Sequence, residues 1–157
     1  MAKDPYRSVD DEALSTVRTL LTKARYGSVG TLDDDSAPHV TRIALAWITG
    51  TPVTLISDLS DHTRHLRARP DASLLIGEPG AKGDPLIHPR LTVAVQGGFV
   101  EKSLRDAWLA VHPKAQLYVD FADFHFVRFT PKFAFLNGGF GKAYRLTAAD
   151  LATAMAE

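Results

Sequence analysis

Ser57, Thr63, Arg64, Arg67 and Arg69 fall within one short stretch, LISDLSDHTRHLRARPDASLLI, running from Leu55 to Ile76. An apolar strand pattern ends at Ser57, a polar turn follows, and a helix-length segment carries the basic residues before Pro70-Asp71 breaks it. A strand that delivers a hydroxyl and arginines to a helix start could hold a phosphate. The first N–H groups of a helix are unpaired, and its dipole favours an anion there. Arginine adds a planar fork of donors matched to phosphate oxygens. The same spacing equally describes a strand–helix–strand link whose arginines face water.

Other constellations are weaker. Arg42 is a charge inside the otherwise apolar pattern Val40–Ile48, so it either points outward or meets an anion. The six histidines are dispersed; His62 and His65, three apart, could share a helix face, but no third ligand stands at a metal-binding spacing. Gly138-Gly139-Phe140-Gly141 lacks the lysine–hydroxyl pair of a triphosphate loop and reads as a tight reversal. No Ser/His/Asp set and no paired carboxylates stand out, since Asp33-Asp34-Asp35 reads as a solvated turn.

The elements that must position these residues follow from periodicity. Leu14, Val17, Leu20 and Leu21 predict a helix over 10–23, with acids at its start and Gly27 beyond its end. Strands are expected at 28–32, 40–48 and 53–57, a short helix at 60–69, and a strand at 72–76. A Gly- and Pro-rich loop occupies 77–89, and a long strand 90–101 has a bulge or close backbone approach expected at Gly97-Gly98. Ser103 is expected to cap a helix over 104–111, and Pro113 to open another reaching Tyr118. Strands at 124–129 and 132–137 follow, and Thr147 with Asp150 predicts a capping box for a last helix over 148–155. Residues 1–9 read as a loose lead-in. Short connections favour an antiparallel meander, and closely spaced strands favour a small barrel.

At 157 residues, one domain spanning 1–157 is expected, its core at about 12–146. With 18 basic and 18 acidic residues, bulk charge gives no reason to expect nucleic acid or an anionic membrane as partner. The absence of cysteine excludes disulfides, thiolate metal sites and cysteine nucleophiles. There is no signal-peptide core and no membrane-length apolar run, so a cytoplasmic location is expected.

The order of Ala24–Leu32, Ser57–Leu66, Pro70–Leu75, Asp84-Pro85-Leu86, His88–Thr92, His112-Pro113, Asp123-Phe124 and Gly138–Ala143 resembles the pyridoxamine-5′-phosphate-oxidase-related, flavin-binding split-barrel superfamily. More narrowly it resembles the haem-utilisation (HugZ-like) branch. The resemblance covers roughly residues 18–146 and implies a mainly β, α+β fold: a six-stranded antiparallel split β-barrel with peripheral helices. It also implies a homodimer with FMN at the subunit interface. Carried over by position, Arg42 matches a phosphate-binding arginine, Ser57 a strand-end hydroxyl, and His62, Thr63 and Arg64 a segment supplying further phosphate donors. The resemblance therefore implies an FMN-dependent oxidoreductase acting on a small molecule, with haem binding or degradation and a non-enzymatic binding protein as alternatives. For haem, an imidazole is the expected iron ligand, with His62 and His88 as candidates. Three departures bear on this. Ala46 and Trp47 stand where the oxidases carry a lysine, and their C-terminal basic residues are not found, so vitamin B6 oxidation is not expected. The longer C-terminal region common in haem-utilisation proteins is also not found, so haem would have to be bound without it.

Overall fold

The computed structural model describes residues 3–156. Helix α1 (Asp11–Lys23) begins where the Asp10 carboxylate accepts the Ala13 N–H, and it buries Ala13, Val17 and Leu21. The six longest strands are β2 (Tyr26–Leu32), β3 (Pro38–Ala44), β5 (Thr51–Ser57), β6 (Asp71–Ile76), β7 (Arg90–Val100) and β8 (Phe124–Asn137). They pair antiparallel in the order β3-β2-β6-β7-β8-β5. The sheet does not close: β3 and β5 do not pair with each other, and the Thr54 hydroxyl donates to the Ala44 carbonyl at 2.6 Å across the opening. This is the expected α+β split barrel.

Three short strands extend it. β4 (Ala46–Ile48) pairs with β5, and β9 (Ala143–Leu146) pairs with β8. β1 (Tyr6–Arg7) lies parallel to β9, so part of the expected lead-in is a strand; its first two residues lie outside the described ones. The remaining helices are α2 (Asp61–Ala68), α3 (Arg105–Val111) and α4 (Ala148–Met155). The expected capping box at Thr147 and Asp150 is formed. Ser103 makes no cap; it lies in a 3-10 turn, Lys102–Leu104, that leads into α3.

Alternation sorts the sheet into two faces. The row Val29, Leu74, Val93, Ala134 and Leu146, paired side by side across five strands, is buried and packs against α1, α4 and Leu66 of α2. A second core gathers Val53, Leu55, Phe126 and Trp108 beneath α3. Of the bulge or close approach expected at Gly97-Gly98, the bulge lies elsewhere. Register shifts between Ala94 and Val95, where Lys132 is the extra residue opposite. That bulge carries β8 straight through Pro131, so the two expected strands are one. Gly97 serves close packing instead: a Cβ there would stand 3.1 Å from Val127 and 3.4 Å from Leu66.

Candidate functional site

The turn between β5 and α2 is built from the hydroxyls singled out in the sequence. Ser57 Oγ donates to Asp123 at 2.9 Å and accepts the Leu59 N–H. Buried Thr63 donates from Oγ1 to the Ser57 carbonyl at 2.6 Å. Ser57 and Thr63 are thus brought together, with their hydroxyls engaged in the turn itself. Arg64 is exposed and pairs with Asp61 at 3.0 Å. Arg67 bridges to Asp58 at 3.1 Å and lies over the Phe99 ring. Asp58 also accepts from His125 at 2.9 Å, and that bond, followed by the one from Arg67, holds its carboxyl below the usual range.

His62 and His65 share the buried face of α2. His62 Nδ1 lies 2.8 Å from Thr41 Oγ1 on β3, and His65 Nδ1 lies 2.8 Å from Thr31 Oγ1 on β2. The His39 ring meets His65 edge-on at 5.1 Å. Burial first, then His39 and His65, pushes the His62 imidazole below its ordinary pKa. No group of three or more His, Cys, Asp or Glu side chains among the described residues has metal-binding geometry.

Arg42 belongs to a different place. Its neighbour Thr41 meets α2, so Arg42 points to the opposite face of the same strand. There it pairs in register with Ser28 and lies 5.7 Å from the Tyr26 ring centroid. Tyr26 hydrogen-bonds Glu78, whose carboxylate keeps the phenol above its ordinary pKa. Tyr26, Ser28, Arg42, Leu75, Gly77 and Glu78 line a polar cavity of about 200 Å³. Arg42 and the α2 residues His62, Thr63 and Arg64 are therefore not brought together.

The cavity sits at one end of a broad outer surface. One cross-strand row reads Arg42, Ser28, Leu75, Thr92, Phe135, Arg145; the next reads Val40, Gly30, Ser73, Ala94, Phe133. Val40, Leu75, Phe133 and Phe135 are exposed there, Val40 at 67%. Among the described residues, no helix covers these rows. An apolar sheet face with an arginine at each end of a row suits a flat apolar ligand bearing anionic groups, or a second protein surface. Sequence reasoning missed Tyr26, Ser28 and Glu78. Alternation along β2 and β3 carries the signal for Ser28, whereas the loop contact of Glu78 has none.

Residues 14–136 match the pyridoxamine 5′-phosphate oxidase family. The chain belongs to this family. It is 32% identical over 137 residues to the chloroplastic heme oxygenase HOZ of Arabidopsis thaliana, a match covering 82% of this chain and 41% of that protein. A heme binding protein from Mycobacterium smegmatis superposes with a TM-score of 0.84 at 28% identity, over 92% of this chain and 62% of the other. Campylobacter jejuni ChuZ shares the fold at 17% identity, with a TM-score of 0.82 over 92% of this chain and 63% of its own. The chain thus spans about two-fifths of the plant relative and under two-thirds of these two structures. The family match and the haem-related names of two of these similar proteins agree with the resemblance read from the sequence.

Proposed function

We propose that this protein binds haem on the outer face of the β3-β2-β6-β7-β8 sheet, with Arg42 receiving a propionate and a second copy of the chain covering the apolar rows. The observation that carries the reading is the exposed apolar face ending at Arg42 and its polar cavity. Haem is a flat apolar ring with two carboxylates, and a guanidinium forms charge-assisted bonds to carboxylate oxygens. The haem-related names of the plant and mycobacterial relatives support the same choice. His62 enters this reading only as a structural residue, because it is buried against Thr41 behind the face. His88 stands on the loop that also supplies Glu78 to the cavity, and it is the histidine we would place nearest the iron.

FMN is the second reading, favoured by Arg42 and Ser28 standing in register on adjacent strands, a guanidinium and a hydroxyl that together suit a phosphate. On that reading the protein is a flavin-dependent oxidoreductase, and the flavin supplies the redox chemistry when bound.

Titration of haem and of FMN into the purified protein, followed by Soret absorbance and flavin fluorescence, separates the two. Saturable haem binding that Arg42→Ala weakens about tenfold to a hundredfold is expected, the range of one lost charge-assisted bond. Non-saturating haem uptake together with saturable FMN binding would replace the first reading with the second.

A further inference from the structure

We propose that His39, His62 and His65 form a proton-operated latch that holds α2 on the β2–β3 hairpin at neutral pH and releases it in mild acid. Helix α2 has eight residues, too few to persist without tertiary support. Its buried side chains are His62, Thr63, His65 and Leu66, so a single aliphatic group anchors it apolarly. Two of the other three are bases. Each makes one 2.8 Å hydrogen bond to a threonine hydroxyl, and the two threonines stand on different strands. These bonds clip the helix across the hairpin, while His39 from β3 packs its ring on His65.

Imidazoles in contact are compatible when neutral. An ordinary histidine takes up a proton near pH 6.5. Charging them puts like charges side by side where little water can solvate them. Two carboxylates, Asp61 and Asp33, face the cluster and offset part of this. Asp61, on the helix itself, is 60% exposed and bonded to Arg64. Asp33, from the β2–β3 turn, accepts the N–H groups of Asp35 and Ala37 at one oxygen and attracts His39 and His65, so the penalty of charging falls most on His62, where burial is the first cause. Asp34 and Asp35 are exposed in that turn, and Arg69 reaches Ser36 there, adding a further positive charge. The sign follows. With His62 depressed in the fold, its contribution to stability is complete above the unfolded value of about 6.5 and is lost as pH falls through the folded one. Release of α2 would free Thr63 from Ser57 and Arg67 from Asp58, and so loosen the β5–α2 turn.

The latch does not depend on which ligand is bound. Hydrogen–deuterium exchange of the intact chain at about pH 7.5 and about pH 5.5, corrected for intrinsic exchange rates, tests it. Peptides across 61–69 are expected to lose about tenfold more protection in acid than peptides across 91–95 of β7. In His62→Gln/His65→Gln, glutamine keeps hydrogen-bonding capacity but cannot charge, so the acid-to-neutral ratio should approach one. Should that double variant fail to fold, His39→Gln decides: His39 is half-buried and its loss removes one like charge, so the ratio should fall below the parent's. A parent with equal protection at both pH values, or a folded double variant that keeps the parent's ratio, would overturn the latch.

Discussion

Ser57 and Thr63 have the composition of an anion site and the geometry of a brace. The Thr63 hydroxyl is turned back onto the Ser57 carbonyl, and the Ser57 hydroxyl is shared between Asp123 and the Leu59 N–H. The residue types were legible in the sequence, but what they bond to was not. Asp123 is remote in the chain from Ser57, and only the β5–β8 register places them together. Thr63→Val keeps shape and removes the donor. Because the Ser57 carbonyl still accepts the Ser60 N–H, the loss should be that of one ordinary hydrogen bond, about 0.5–1.5 kcal/mol by urea denaturation. Arg64 is a contrast. It is exposed, its pairing with Asp61 is a surface ion pair, and Arg64→Ala should shift stability by less than about 1 kcal/mol. The same substitution should leave haem affinity unchanged, while Arg42→Ala weakens it. If Arg64→Ala proved the more damaging to binding, the ligand would belong at α2 instead of the outer face.

At the scale of elements, local chemistry was readable where neighbours in sequence decide the outcome. Thr147 and Asp150 form the expected capping box, and Asp10, expected only as a favourable charge at the helix start, caps α1; both contacts lie three residues away. Asp10→Ala should therefore cost about 1 kcal/mol in thermal or chemical unfolding. The reading failed where a distant partner overrides a local signal. Pro131 argues against a continuous strand, having no N–H to donate. The bulge opposite Ala94-Val95 absorbs it, and β8 runs on for 14 residues. Tyr6-Arg7 has no strand signal of its own and is ordered by β9. Arg42 shows the same limit. Strand alternation tells that residues 41 and 42 face opposite ways, but only the packing of α2 against Thr41 tells which way each faces. Gly77 closes β6 with φ +112, and a Cβ there would lie 2.5 Å from the Pro89 carbonyl oxygen. Gly77→Ala combines backbone strain with a clash that rigid backbone cannot relieve, so a loss on the order of 1–3 kcal/mol is expected. An unchanged unfolding midpoint would show that the 77–89 loop moves freely away from β6.

At the scale of the whole molecule, the two faces of the sheet have unequal surroundings. One is covered by α1, α4 and Leu66; the other carries Val40, Leu75, Phe133 and Phe135 in adjacent rows with no helix of the described residues over them, only Tyr6 meeting Phe135 at one end. Contiguous exposed apolar surface of this kind marks an interface. A two-fold homodimer is the commonest arrangement that would bury it, and it uses the same patch on both copies. The aromatic residues between Phe121 and Phe140 divide between the two faces. Phe133 and Phe135 stand on the outer face, while Phe126 and Phe129 lie in the core. We therefore expect sedimentation equilibrium to report a dimer at micromolar concentration. Val40→Asp tests the surface with little risk to the fold, since Val40 is 67% exposed in the single chain. In an isologous interface the new carboxylate is introduced twice and loses its water in both places, so dissociation to monomer is expected. Far-ultraviolet circular dichroism should remain that of the parent. Haem affinity should fall together with dimer content, because on this account the second copy covers the ligand. A parent that sediments as a monomer, or a Val40→Asp variant that stays dimeric, would place the contact on another face and remove the cover from the proposed haem site.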